Sequence, residues 1–115
     1  MRKITGTINC REKSRIEQGA LVEIEVYVLR PTGPSVTIGK ARIENPLQFP
    51  IVYEVLWDDV SLLNKSARCV LGARITRNER LDFISRVDIP VIEKATGNVL
   101  ENIDIDVVAV GRNNK

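Results

Sequence analysis

The chain has 115 residues, 17 of them Lys or Arg and 15 Asp or Glu, for a net charge of +2, and it contains no histidine. That length predicts one domain, residues 1–115, able to bury a core without disulfide or metal staples. The near-neutral charge excludes a field strong enough to capture nucleic acid. The missing imidazole excludes Ser-His-Asp and Cys-His catalysis and every zinc site that needs histidine.

Apolar and polar residues alternate through most of the sequence. Ile4, Gly6, Ile8 and Cys10 alternate with Lys3, Thr5, Thr7 and Asn9, the period of a half-buried strand. A charged stretch from Arg11 to Glu17 ends at Gly19. From Leu21 to Leu29, Val22, Ile24, Val26 and Val28 take one face and Glu23, Glu25 and Tyr27 the other. Pro31-Thr32-Gly33-Pro34 predicts a turn, because each proline fixes φ and cannot continue a central ladder. Val36 to Glu44 is a further strand, and its change of phase near Gly39 and Lys40 predicts a bulge. After the break at Asn45-Pro46, Phe49, Ile51, Tyr53 and Val55 alternate with Gln48, Val52 and Glu54 as far as Trp57-Asp58-Asp59. Pro50 marks an edge or irregular entry.

Asp58 to Lys65 has an acidic cap ahead of Val60, Leu62 and Leu63 and predicts one short helical turn. Cys69, Leu71, Ala73 and Ile75 form the next inward row. Arg77-Asn78-Glu79-Arg80 reads as a hairpin loop from which Leu81, Phe83 and Ser85 return. Val87 to Ile92, interrupted by Pro90, reads as an edge, and Thr96-Gly97-Asn98 as a turn. A last strand sets Ile103, Ile105, Val107 and Ala109 against Asn102, Asp104, Asp106 and Val108, and residues 111–115 are a polar tail. About seven or eight short strands with turns between them and one short helical turn predict an all-β fold, an antiparallel β-sandwich. Its inward residues are Ile4, Ile8, Val22, Ile24, Val26, Val28, Ile38, Ile51, Tyr53, Val55, Leu71, Ala73, Ile75, Leu81, Phe83, Ile103, Ile105 and Val107. Cys10 and Cys69 share that phase; two buried thiols are the plainer reading, and a bridge between the sheets is the alternative.

Chemistry-bearing patterns are few. Gly33 to Lys40 has five residues between its glycines and Ala41 where a Walker loop needs Ser or Thr, so it predicts no nucleotide site. The pairs Asp58-Asp59 and Asp104/Asp106 lack the six to eight oxygens of a calcium loop and read as a cap and a solvated face. Asn64-Lys65-Ser66 matches a glycosylation sequon. No nucleophile has a visible base and no cofactor fingerprint is present, which predicts a protein that is no enzyme and holds no cofactor or metal. Arg74, Arg77 and Arg80 surround one hairpin and, with Leu62 and Leu63, are the candidate contacts for a partner. Charge balance on a hairpin and a plug at one end of the fold are the plainer readings of the two groups.

Gly6-Thr7-Ile8 followed by Arg11-Glu12, Gly19-Ala20-Leu21-Val22-Glu23-Ile24, Asn45-Pro46, Phe49-Pro50-Ile51 with Tyr53-Glu54-Val55, and Leu71-Gly72-Ala73-Arg74-Ile75-Thr76 before Leu81-Asp82-Phe83 resemble one family. It is the YscW-type family of type III secretion pilotin lipoproteins and related YbaY-like lipoproteins. The resemblance implies a compact β-sandwich and, for pilotin members, binding of a secretin's C-terminal segment to guide it to the outer membrane. Two features depart from the family. Cys10 stands within a predicted strand behind Thr7-Ile8-Asn9, with no apolar leader, and Cys69 stands where the family likeness calls for an aromatic.

The expectation is therefore a non-catalytic protein-binding or chaperone-like module whose partner is a protein or peptide, monomeric or weakly self-associating, with no membrane span. A self-associating structural protein and a small-ligand carrier are the alternatives. The letters from Met1 predict a cytoplasmic chain; a leader ahead of Met1 would make it a periplasmic or outer-membrane lipoprotein.

Overall fold

The computed structural model describes residues 2–11, 15–29, 32–46, 48–57, 68–87, 89–90 and 99–110. Among them the chain forms strands β1 (Arg2–Cys10), β2 (Ala20–Leu29), β3 (Val36–Glu44), β4 (Ile51–Trp57), β5 (Arg68–Arg77), β6 (Arg80–Ser85), β7 (Ile89–Pro90), β8 (Val99–Leu100) and β9 (Ile105–Ala109). The proposed helical turn at 58–65, the turn at 96–98, the sequon and the polar tail lie outside the described residues.

The strands pair in the order β2-β3-β4-β1-β9-β6-β5, and β5 pairs again with β2, so seven strands close into a barrel. This corrects the sandwich expected from the sequence. Period-two alternation buries one face in either architecture, and the deciding feature is that β2 uses both edges, against β3 on one side and along its whole length against β5 on the other. The purely antiparallel expectation is corrected too, since β1 runs parallel to β8 and β9. The β2–β5 ladder covers an edge of each strand that would otherwise invite association, while β3 and β4 share only the Gly39↔Trp57 pair.

The interior is filled by the predicted rows. Ile4, Ile8, Val22, Ile24, Val26, Ile51, Val55, Leu71, Ile75, Phe83, Ile105 and Val107 are buried in one cluster. Each such aliphatic side chain contributes about 1.5–3 kcal/mol by leaving water. Ile38, Leu81 and Ile103 are only partly buried, and bulges explain the first two. Between β2 and β3 the register passes from Val26↔Gly39 to Tyr27↔Thr37, leaving Ile38 as the extra residue, at the phase change seen in the sequence. Between β5 and β6 it passes from Ile75↔Phe83 to Thr76↔Leu81, leaving Asp82 as the extra residue and turning it inward to 3% exposure. The β5–β6 hairpin closes through Asn78 (φ 54°) and Glu79 (φ 67°), the left-handed pair a two-residue hairpin turn requires.

β8 and β9 are one strand broken by a bulge. Against β1, Ile4 pairs with Leu100 and Ile8 with Ile105, so the chain takes one more residue than β1 over this interval, with Asn102 left-handed at φ 61°. The extra backbone lies on Gly6: the Ile103 nitrogen donates to the Thr5 carbonyl at 3.0 Å, and the Tyr53 hydroxyl donates to the Ile103 carbonyl at 2.7 Å. Burial, with the Asp104 charge beside it, holds the Tyr53 phenol above its ordinary pKa of 10.0. The unfolded chain therefore releases this proton first as pH rises, and stability is lost above pH 10. Urea unfolding at about pH 8 and about pH 11 will show a smaller loss for Tyr53→Phe than for the parent. At the lower pH that variant will be about 1 kcal/mol less stable, for the missing hydrogen bond.

Candidate protein-binding surface

The outward row of β2 is Leu21, Glu23, Glu25 and Tyr27. The register sets Thr76, Arg74, Gly72 and Val70 of β5 directly opposite. Gly72 has no side chain, so the outer face is notched between Tyr27 and Arg74. β6 pairs with β5 as far as Ile84, and β7 takes up the same β5 edge at Val70 and Leu71. Beside the notch lies a depression of about 400 Å³ bordered by Glu25, Tyr27, Gly72, Arg74, Ile84 and Arg86. A second depression of about 630 Å³, bordered by Leu21, Thr76 and Leu81, shares Glu23, Arg74 and Ile84 with the first. They form one trough on the outside of the barrel. From Leu21 to Tyr27 it runs about 20 Å, at about 3.3 Å per residue.

Charge organises its middle. Glu23, with 12% of its side chain exposed, receives Arg74 Nε at 3.1 Å and Lys40 Nζ at 3.2 Å. Arg74 Nη2 and Lys40 Nζ also reach Glu25 at 3.8 and 3.9 Å, and Thr37 Oγ1 donates to Glu25 at 3.2 Å. Burial alone would raise the Glu23 carboxyl, but hydrogen bonds from Lys40 and Arg74 and their charges outweigh it and hold the carboxyl below its ordinary range. Exposed ion pairs of this kind contribute only about 0–1 kcal/mol. Their consequence is a fixed arrangement of charge between the apolar walls formed by Leu21, Leu81 and Ile84 at one end and Tyr27 at the other. Arg86, on the rim, has no ion-pair partner among the described residues.

The three arginines singled out in the sequence do not form one patch. Arg74 lies in the trough. Arg77 Nε is bound to the buried Asp82 carboxylate at 3.1 Å, and Arg80 is exposed at the hairpin end, opposite Arg77 in the ladder. Leu62 and Leu63 lie outside the described residues. Asp104 accepts from Thr7 Oγ1 at 2.8 Å and Asp106 pairs with Arg11 at 3.0 Å, so each carboxylate has its own protein partner. Among the described residues no group of His, Cys, Asp and Glu comes together to hold a metal, and no helix is long and apolar enough to cross a membrane. Cys10 and Cys69 are both buried, and no disulfide joins them.

Sequence reasoning placed Glu23, Glu25 and Tyr27 on an outer face but did not connect them with Arg74, Gly72 or Ile84. The only signal was the shared outward phase.

A family model described as type III secretion system lipoprotein chaperone (YscW) matches residues 1–103. No curated protein matches this chain. Among solved structures, it is similar to an alternative pilotin from the type II secretion system of Vibrio cholerae, with a TM-score of 0.77 and 22% identity over 96% of this chain and 98% of that one. At that identity the likeness is one of fold.

Proposed function

The chain belongs to the YscW family, the lipoprotein chaperones of type III secretion systems, and on that premise we propose that it acts without catalysis by holding the C-terminal segment of a secretin. The family match over nearly the whole chain carries this reading, and the pilotin-like fold supports it. The work would be done at the periplasmic face of the outer membrane, where a lipoprotein chaperone meets such a client. The trough on β2, β5 and β6 is the docking surface we assign to the client's side chains. Its apolar ends suit aliphatic residues, and Arg86 suits a carboxylate between them. Leu62 and Leu63 are proposed as further contacts.

Peptides tiling the C-terminal segment of a type III secretion secretin test this reading by calorimetric titration against the full chain. At least one should bind. Arg74→Glu, which places a third carboxylate beside Glu23 and Glu25, should weaken that peptide by about tenfold or more while the far-ultraviolet spectrum stays unchanged. If no peptide binds the folded parent protein, the secretin assignment is wrong.

A further inference from the structure

Acceptors and donors are unequally spent in the trough. Each carboxylate oxygen of Glu23 and Glu25 already faces a donor or a cation: Arg74 Nε and Lys40 Nζ at Glu23, and Thr37 Oγ1, Arg74 Nη2 and Lys40 Nζ at Glu25. On the donor side, the Arg86 guanidinium, Arg74 Nη1 and the hydroxyl protons of Ser35 and Ser85 have no acceptor among the described residues. All four residues border the same depression of about 400 Å³. Ser85 Oγ accepts the Ala73 amide at 3.3 Å, which leaves its own proton to be donated elsewhere. Lys40 and Arg74 balance Glu23 and Glu25, so Arg86 adds one positive charge in surplus.

The trough also has a closed end. Along the outward row of β5, Arg74 is exposed, but the next two positions, Gly72 and Val70, are buried, Val70 at 3% exposure. A segment lying along Leu21 and Leu81 therefore stops over Gly72 and finds the outer face covered beyond it. We propose that this end captures the terminal α-carboxylate of the client's C-terminal segment. The inference rests on the secretin reading for the client, and adds which atoms of it are held and which way the segment lies. The carboxylate would sit over Gly72, where no side chain takes up the space, between Arg74 and Arg86, and the residues before it would run toward Leu21. From Leu21 to Glu25 is about 13 Å, the length of about four extended residues. An Asp or Glu side chain in mid-segment is a poorer occupant, because the chain beyond it would meet the covered face at Val70. A phosphate is poorer still, since its second charge has no cation left to meet it and Glu23 and Glu25 line the wall.

Calorimetric titration of the full chain with the last peptide of the secretin tiling, made as the free acid and as the C-terminal amide, tests this. The acid should bind about tenfold or more tighter than the amide, the difference expected for hydrogen bonds to a charged group. Arg86→Gln, a change at an exposed residue whose effect on the fold the far-ultraviolet spectrum checks, should remove most of that difference. Equal binding of acid and amide, or tighter binding of a tile that stops short of the natural end, would overturn the α-carboxylate and leave the secretin reading standing. A preference for the acid that survives Arg86→Gln undiminished would overturn it too, by placing the carboxylate elsewhere. Failure of every peptide to bind would overturn both.

Discussion

A Gly6→Ala variant should lose about 3 kcal/mol or more of folding stability, a large effect for one added methyl group. Gly6 faces inward with Ile4 and Ile8, and a Cβ there would collide with the Ile103 carbonyl oxygen and lie 2.6 Å from its carbon. The obstruction is backbone and is fastened at two points, by the Ile103 nitrogen on Thr5 and by the Tyr53 hydroxyl on Ile103. Relief would mean undoing the bulge between β8 and β9 and with it the β1–β9 pairing that helps close the barrel. Gly33→Ala is the control: its Cβ would meet nothing within 4 Å, and its left-handed φ of 87° costs about 1 kcal/mol. Urea midpoints at equal slope compare the two. Equal losses would show that Ile103 does not press on Gly6.

Much of this fold was legible because burial on one face writes itself into alternate letters. The rows of β1, β2, β4 and β5 were readable residue by residue, as were the Arg77 to Arg80 hairpin and the bulge near Gly39. Closure was not. Whether β2 finds β5 across the 38 residues between Leu29 and Arg68 is a matter of pairing between distant segments, and both a sandwich and a barrel satisfy the same pattern. Trp57 was read as a strand end, although it is the last inward residue of β4 and is buried. Asp82 and Ile103 were missed for a shared reason, since a bulge shifts phase without a change in composition.

The candidate surface was less legible than the fold. Arg74 stood out as part of an arginine triplet, but its partners Glu23 and Glu25 come from β2 and Lys40 from β3, and only the completed sheet brings them together. Gly72 makes the notch by lacking a side chain, and no motif marks an absence. Arg77 was grouped with Arg74 by spacing, yet the bulge at Asp82 gives it an inward partner and a different task.

That task predicts the second large effect. Arg77→Ala should cost about 3–5 kcal/mol, because it removes the guanidinium that holds an otherwise buried carboxylate. Asp82 is 3% exposed, and Arg77 Nε approaches its Oδ2 at 3.1 Å, with 27% of the arginine side chain exposed. The Asp82 carbonyl also receives the Val110 amide at 2.9 Å, so disturbance here reaches the end of β9. The loss combines the broken ion pair with the poorer solvation of a carboxylate that is 3% exposed, which makes the double variant informative. Arg77→Ala combined with Asp82→Asn removes the buried charge together with its partner and should recover more than about half of the single variant's loss. Thermal or urea unfolding of the parent, both single variants and the pair closes the cycle. Equal stability of Arg77→Ala and the double variant would mean that Asp82 is not held by Arg77, and Arg77 would return to being a surface arginine on a hairpin.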